Sequence, residues 1–270
     1  MTKPRLSVSS WSLHKTLGSP AFYGVESLPS AQPNRAELSL LELPQAIANF
    51  GISTLEITHF HLPSLDKAYL SELRASMKAA NIDLFSLLID DGDITHPSHG
   101  KRDLAWIESW LEVAAGLGST CVRVIAGKQD PTPEVLTLSA KRLEVLAEKA
   151  EGLGLRLMTE NWLSTTSTPE AVLYLMDSLG GKVGLCMDFG NWKGEEKYQN
   201  LGRIAHHAES CHSKAFFEKG KIDEDDFRAC LEIAEQAGFA GPHTLIFDSE
   251  QPDEWQGLAI EKDVVLPYCS

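Results

Sequence analysis

The sequence has few cysteines and no long apolar run, and both absences narrow the class of protein. Its 270 residues include five scattered cysteines with no CxxC pair, which argues against a disulfide framework and against a thiolate zinc site. The N-terminal stretch "MTKPRLSVSSWSL" lacks the apolar core of a secretory signal, and no segment approaches the length of a membrane span. We therefore expect a cytoplasmic chain with no membrane partner.

Basic residues are also scarce. The chain has 24 Lys and Arg against 38 Asp and Glu, a formal net charge of −14 that repels polyphosphate. A nucleic-acid partner is therefore not expected, and a small-molecule substrate fits better. Apolar residues make up 43% of the chain, enough for one large core, so residues 1–270 are expected to form a single domain. A homo-oligomer is left open.

Short apolar runs alternate along the chain with longer segments whose apolar residues recur at spacings of three and four. Strands are predicted at Arg5–Trp11, Thr54–Phe60, Asp83–Ile89, Cys121–Ala126, Leu155–Glu160, Val183–Asp188, Ser210–Lys214 and Thr244–Asp248. Helices are predicted at Asp66–Ala80, Asp103–Leu117, Glu134–Gly152, Pro169–Leu179 and Asp225–Ala237. Eight such units predict an α/β fold, a single-domain (β/α)8 TIM barrel. An open doubly wound sheet is the alternative, but no GxGxxG follows the first strand.

Several helix ends carry recognisable signals. Thr168 is predicted to cap a helix that begins at Pro169, because proline in the first turn gives up an N–H that would be unpaired anyway. Five glycines are predicted to end helices, each at the position just after the last turn. They are Gly51, Gly118, Gly154, Gly180 and Gly238. The loop from Ser12 to about Arg35 is long, which is typical of a functional lid or a disordered segment.

Four successive strands end in an ionisable residue. The alternation of side chains along each strand places Glu160, Asp188, His212 and Asp248 on the set opposite the bulky apolar residues, which faces the barrel axis. In a barrel of this class the working residues lie at the C-terminal ends of the strands, so these four side chains should converge.

Three converging carboxylates would repel one another, and a shared divalent cation would remove that repulsion. Oxygen-rich ligation with one imidazole suits Mn²⁺ or Mg²⁺ and also admits Co²⁺, Fe²⁺ or Zn²⁺. The sequence therefore predicts a metal site at Glu160, Asp188, His212 and Asp248. Taken singly, such a carboxylate is as well explained by a helix cap, and the histidine by a structural role.

Other polar and aromatic residues at strand ends are candidates for substrate binding. Glu56, His59 and His61 close the second strand, and His61 is favoured over His59 as the imidazole that reaches the pocket. Trp11, Trp162 and Trp192 follow separate strands, where their rings suit the apolar face of a sugar or serve only as rim packing.

Two groups of charged residues are expected to be structural. Arg123 and Lys128 flank the fourth strand and could bind an anionic substituent of a substrate, but salt bridges with neighbouring carboxylates are favoured. Asp90, Asp91 and Asp93 in "IDDGDITHP" are interpreted as a solvated turn.

At "TENW", "CMDFGNW" and "CHSKAF" the chain resembles the xylose-isomerase-like TIM-barrel superfamily of sugar isomerases and epimerases. The resemblance implies a divalent metal on Glu160, Asp188, His212 and the last acidic residue. It also implies proton abstraction next to a carbonyl through an enediolate, with Glu160 and Asp248 as acid and base. Lys214 would hold a substrate oxygen. The resemblance further implies a place in carbohydrate metabolism and, among the candidate metals, manganese.

The chain departs from that pattern at three positions. The last ligand is usually glutamate, whereas here Asp248 is in phase with the inward side chains and Glu250 lies two residues later. Ketohexose 3-epimerases carry a histidine where this chain has Asn191, a substrate-binding candidate, and an arginine where it has Glu218. These departures leave a lyase or dehydratase open on the same site, including elimination from a 3-keto-glycoside. An abasic-site endonuclease and a non-catalytic sugar-binding barrel are the more distant alternatives.

Overall fold

The computed structural model describes residues 4–18, 23–27 and 36–269. Eight of its strands pair in parallel around a closed barrel, in the order β1-β8-β7-β6-β5-β4-β3-β2. They are β1 Arg5–Ser9, β2 Thr54–Thr58, β3 Asp83–Ile89, β4 Cys121–Val124, β5 Arg156–Glu160, β6 Gly184–Asp188, β7 Ala208–Ser213 and β8 Pro242–Leu245. The predicted (β/α)8 barrel is confirmed.

Each strand is followed by a helix, which lets the next strand run parallel to it. The helices are α1 Leu43–Asn49, α2 Lys67–Ala79, α3 Gly100–Leu117, α4 Pro133–Gly152, α5 Pro169–Leu179, α6 Lys197–Ile204, α7 Glu224–Gln236 and α8 Glu254–Val265. A two-stranded antiparallel hairpin, Phe217–Glu218 with Lys221–Ile222, is inserted between β7 and α7. In the described part of the chain no helix is both long and apolar enough to span a membrane.

Local signals place the helix ends as the sequence indicates. The Thr168 hydroxyl accepts the Ala171 N–H at 3.2 Å, which satisfies a donor that the first turn leaves unpaired. At the other end of α5, Gly180 adopts a left-handed backbone with φ 55°, a conformation that costs glycine little. All five cysteines are free thiols, as their spacing predicts.

The barrel has an apolar part and a polar part. Phe85, Cys121, Met158 and Cys186, on four neighbouring strands, form a small buried apolar cluster that is separate from the main core. The main apolar core lies outside the barrel, between the strands and the helices, where residues such as Leu55 and Leu87 are fully buried. This leaves the upper end of the interior for polar side chains.

Several predicted boundaries differ from the structure by a few residues, and two of these differences affect site residues. β8 ends at Leu245, so Asp248 lies three residues beyond the strand rather than at its end. β1 ends at Ser9, and a short 3-10 turn, Ser10–Leu13, carries Trp11. About half of the long loop predicted from Ser12 to about Arg35, residues 19–22 and 28–35, lies outside the described residues.

Candidate metal and substrate site

A pocket of about 460 Å³, here called the central pocket, opens at the C-terminal ends of the strands. It is lined by Ser9, Trp11, Leu88, Asp90, Arg123, Glu160, Trp162, Asp188, Asn191, His212, Lys214 and Ile246. Its position agrees with the end of the barrel where the fold class places its chemistry.

Three of the four predicted metal ligands meet at the floor of the central pocket. The Nδ1 atom of His212 lies 3.3 Å from Glu160 Oε2 and 3.8 Å from Asp188 Oδ2. The other ring nitrogen, Nε2, lies 2.9 Å from Glu56 Oε2 and donates its proton to that carboxylate. Glu56 therefore fixes the orientation of the ring and directs Nδ1 at Glu160 and Asp188, the arrangement that protein carboxylates impose on metal-binding histidines.

The donor set at this floor fits a divalent cation. Glu160, Cys186 and His212 place an oxygen, a sulfur and a nitrogen within 4.8 Å of one another. Among the described residues, Glu160 Oε2 is buried and has Arg123 Nε at 3.1 Å and His212 Nδ1 at 3.3 Å, but neither contact has the geometry of a hydrogen bond, so a cation could still bind this oxygen. The sulfur of Cys186 adds a soft donor to the predicted oxygen-rich set, which favours Zn²⁺, Fe²⁺ or Co²⁺ more than the sequence indicated.

Arg123 supplies positive charge inside the same cluster. Its guanidinium lies 2.6 Å from Asp90 Oδ1 and 3.1 Å from Glu160 Oε2, and all three side chains are buried. Burial acts to raise the pKa of Glu160, but Arg123 and then His212 outweigh it and lower that pKa to about 2. Arg123 and His212 therefore offset part of the repulsion among the converging carboxylates, in addition to what a bound cation would contribute.

Burial also acts on His212, lowering its pKa, but Cys186, Glu160 and Glu56 together raise it well above the ordinary value. The raised pKa favours the protonated form of the ring when no cation is bound. A cation that bound Nδ1 would displace a proton, so its affinity would rise with pH.

The segment "GLCMDFGNW" shows why a strand ends on Asp188. Its Oδ1 atom accepts the backbone N–H groups of Gly190 and Asn191 at 2.6 and 2.8 Å, while Oδ2 faces His212. The Asn191 side chain donates to Glu160 Oε1 at 2.8 Å, which places it at the floor of the pocket. Burial, and next the charge of Glu160, raise the pKa of Asp188 to about 6.

Asp248 occupies a different place from the other three acidic and imidazole groups. Its Oδ2 atom lies 2.6 Å from Lys214 Nζ, its side chain is half-exposed, and among the described residues it is not part of the lining of the central pocket. Burial would lower the pKa of Lys214, but the bond to Asp248 raises it, so Lys214 is an ammonium. Glu250 is exposed. A metal or catalytic role for Asp248 remains a prediction.

The remaining substrate-binding candidates divide between the pocket and its surroundings. Trp11 and Trp162 line the central pocket, and the Trp162 ring lies 5.3 Å from the Arg123 guanidinium carbon. Trp192 lies instead in a second cavity of about 1010 Å³, which also includes Lys214, Phe216 and Asp248 and is called the side cavity below. His61 is buried and bonded to Ser10 Oγ at 2.7 Å and to His14 Nδ1 at 3.1 Å, outside the lining.

Two residues of the site were not singled out from the sequence. Asp90 follows β3 directly, so the search for ionisable residues at strand ends that was applied to the later strands would have found it. The interpretation as a solvated turn is wrong for Asp90 and Asp93, because both are buried. Cys186 lies two residues before Asp188 on β6, so strand alternation puts the two side chains on the same face, and the sequence analysis assigns it no role. The salt bridges expected for Arg123 and Lys128 are confirmed, with Asp90 and Asp91 respectively.

The chain thus folds as a closed parallel barrel, with a cluster of carboxylates and one imidazole at the C-terminal ends of its strands. Residues 44–262 match the family described as xylose isomerase-like TIM barrel, and the chain belongs to that family. A search of curated proteins found no significant match.

Solved structures with the same fold include a protein described as L-ribulose 3-epimerase, with a TM-score of 0.73 and 16% identity over 98% of this chain and 94% of the other. A xylose isomerase-like TIM barrel protein from Mycobacterium smegmatis in complex with magnesium has a TM-score of 0.70 and 15% identity, covering 99% and 96%. A probable 3-DHS dehydratase from Bacillus anthracis has a TM-score of 0.69 and 14% identity, covering 97% and 98%. At such identities these likenesses show the fold alone.

Proposed function

We propose that this protein is a divalent-metal-dependent isomerase or epimerase that moves a proton next to the carbonyl of a sugar or sugar derivative. The observation that carries the proposal is the cluster of Glu160, Asp188 and His212, with the ring of His212 held by Glu56 at 2.9 Å. Membership of the family and the epimerase among its structural neighbours support the same class.

Glu160, Asp188 and His212 would hold the cation, with Cys186 below them as a further donor. The bound cation, Mn²⁺ or Mg²⁺ where the carboxylate oxygens dominate and Zn²⁺, Fe²⁺ or Co²⁺ where Cys186 also binds, would act as a Lewis acid toward the substrate carbonyl. Manganese and a place in carbohydrate metabolism are part of this proposal.

The residues around that cluster account for binding and proton transfer. Trp11 and Trp162 present ring faces to the substrate, and the Lys214 ammonium can donate to a substrate oxygen. Glu160 would exchange the proton on one side of the substrate. Asp248 would do so on the other side, where its bond to Lys214 holds it next to the central pocket. Asn191 steadies Glu160 through the hydrogen bond to Oε1.

Elimination is the second candidate on the same site. Lys214 lies at the mouth of the central pocket as an ammonium, where it could protonate a departing hydroxyl after the same proton abstraction. The dehydratase among the structural neighbours supports this alternative.

The experiment is proton exchange in D2O, followed by NMR over a panel of ketoses, aldoses and keto-glycosides with Mn²⁺, Mg²⁺, Co²⁺ or Zn²⁺ added. We expect metal-dependent exchange of one C–H, lost on chelation and reduced at least about 100-fold in Glu160→Gln, the size typical of a lost general acid or base. Glu170→Gln, which changes an exposed surface carboxylate paired with Arg203, is the matched control and should retain activity.

The products distinguish the two candidates. Exchange with retention of all hydroxyls favours the isomerase or epimerase, and loss of water or of an aglycone favours the lyase. Exchange that survives both chelation and Glu160→Gln would contradict the proposed site.

A further inference from the structure

The side cavity adjoins the central pocket, and one side chain belongs to both. Lys214 lines both cavities. The residues just after β6 are divided between them: Asn191 lines the central pocket, whereas Gly190 and Trp192 line the side cavity. Gly190 packs against the Lys214 stem so closely that an added Cβ would lie 2.8 Å from its Cδ. A substrate that extends past Lys214 therefore enters the side cavity directly.

The lining of the side cavity combines aromatic faces with charged edges. Phe216 is 58% exposed and Tyr198 is 40% exposed, two of the few large apolar or aromatic side chains that the described chain leaves open to solvent. The Tyr198 hydroxyl and Lys197 Nζ both bind Asp226, at 2.9 and 2.6 Å, which fixes this side of the cavity. Aromatic rings next to fixed polar groups suit a ring that has an apolar face and hydroxylated edges.

We propose that the side cavity binds the second sugar ring of a glycoside whose reacting ring occupies the central pocket. This inference rests on the proposed function and extends it, since it makes a disaccharide-sized glycoside the substrate class. Phe216 would stack on the second ring, and exposed Lys193 and the carboxylates at the cavity edge would meet its hydroxyls. The bridging oxygen would pass beside Lys214. A neutral sugar ring fits this mixed lining better than a purely apolar aglycone does.

The test compares the binding of D-glucose, cellobiose and phenyl glucoside by calorimetry and saturation-transfer NMR, with Mg²⁺ present. We expect cellobiose to bind about tenfold more tightly than glucose, the size of one aromatic stacking contact. In Phe216→Ala the ratio of the two affinities should fall to near one. Because Phe216 is exposed, this variant should fold. Leu266→Ala, which shortens a 45% exposed side chain just after α8, is the control and should keep the tenfold ratio.

The outcomes separate this inference from the proposed function. Equal affinities for glucose and cellobiose, unchanged in Phe216→Ala, would overturn the inference even if metal-dependent proton exchange is observed. A Phe216-dependent preference for cellobiose without any proton exchange would support the second-ring site and contradict the enzymatic proposal. A Phe216-dependent preference for phenyl glucoside over cellobiose would assign the side cavity to an aryl ring and overturn the proposal of a sugar.

Discussion

Two neighbouring strands bury an imidazole on opposite sides of the barrel wall. His212 on β7 points into the barrel, where Glu56 lies 2.9 Å and Glu160 3.3 Å from its two nitrogens. His243 on β8 points outward, with its ring centroid 4.8 Å from that of Phe239 and a hydrogen bond between Nδ1 and Ser213 Oγ at 2.9 Å. Both rings are almost fully buried, yet the pKa of His212 is raised and burial lowers that of His243 to about 4.

This comparison shows that burial alone does not decide the charge of a side chain. Outside the barrel, desolvation acts without an opposing charge, so the imidazole stays neutral. Inside, charged groups persist because each has an opposite charge beside it: Arg123 lies between Asp90 and Glu160, and His212 lies between Glu56 and Glu160. The upper interior is therefore a network of mutually dependent charges, whereas the outer layer is an apolar core.

The strongest test of that dependence removes Arg123. Arg123→Met should leave Asp90 and Glu160 buried without their counter-charge and lower the free energy of unfolding by about 3–5 kcal/mol, the cost typical of breaking a buried pair. Urea unfolding followed by circular dichroism measures it.

Arg156→Met is the matched control for this change. Arg156 pairs with Glu209 at 2.5 Å at the other end of the barrel, where both side chains are partly exposed. A surface pair of this kind contributes about 0–1 kcal/mol. Equal losses of unfolding free energy in the two variants would show that the buried charges inside the barrel depend on their partners no more than a surface ion pair does.

The second test concerns His243 and the pH dependence of stability. The unfolded chain binds a proton at this residue near pH 6.5, while the folded protein does so only near pH 4. Between these values the unfolded state holds more protons, so stability should fall as the pH falls from 6.5 to 4, by about 3 kcal/mol at 1.36 kcal/mol per pKa unit.

His243→Gln removes this titration and isolates its contribution. The difference in unfolding free energy between the protein and the variant should change across that pH range and be constant above pH 7. A difference that is independent of pH would mean that the outer imidazole is not held neutral by its surroundings.

The sequence predicts the outer layer better than the inner network. β3 and α5 were predicted with the bounds observed, Asp83–Ile89 and Pro169–Leu179, because their signals are local. β3 is a short, mostly apolar segment, and α5 has a cap, a proline and a glycine at its ends. The end of β8 was not, because the alternation in "TLIFD" continues past Leu245, where the ladder of hydrogen bonds stops.

The inner network depends on contacts between distant strands. Alternation predicts that Glu160, Asp188 and His212 face the axis, but not that Arg123 on β4 would neutralise one of them or that Glu56 would bind the ring of His212 from across the barrel. Asp248 shows the same limit: its partner Lys214 lies 34 residues earlier, and the pairing holds it at the mouth. Side-chain period gives the direction of a residue, while closure of the barrel decides its partner.

The smallest of the three effects should come from Glu56, whose contact with the network, within the part of the chain that the structure describes, is its bond to His212. Glu56→Gln keeps the shape of the side chain but weakens its hold on Nε2, so we expect Mn²⁺ affinity to fall about 10- to 100-fold, or about 1.4–2.7 kcal/mol, as for other carboxylates that orient a metal-bound histidine. Mn²⁺ titration followed by electron paramagnetic resonance measures this, with Glu209→Gln on the surface as the control. An unchanged affinity would mean that Glu56 neutralises His212 in the metal-free protein but does not help it to bind a metal. The inner face of the barrel would then differ from the outer face in its charges and not in metal binding.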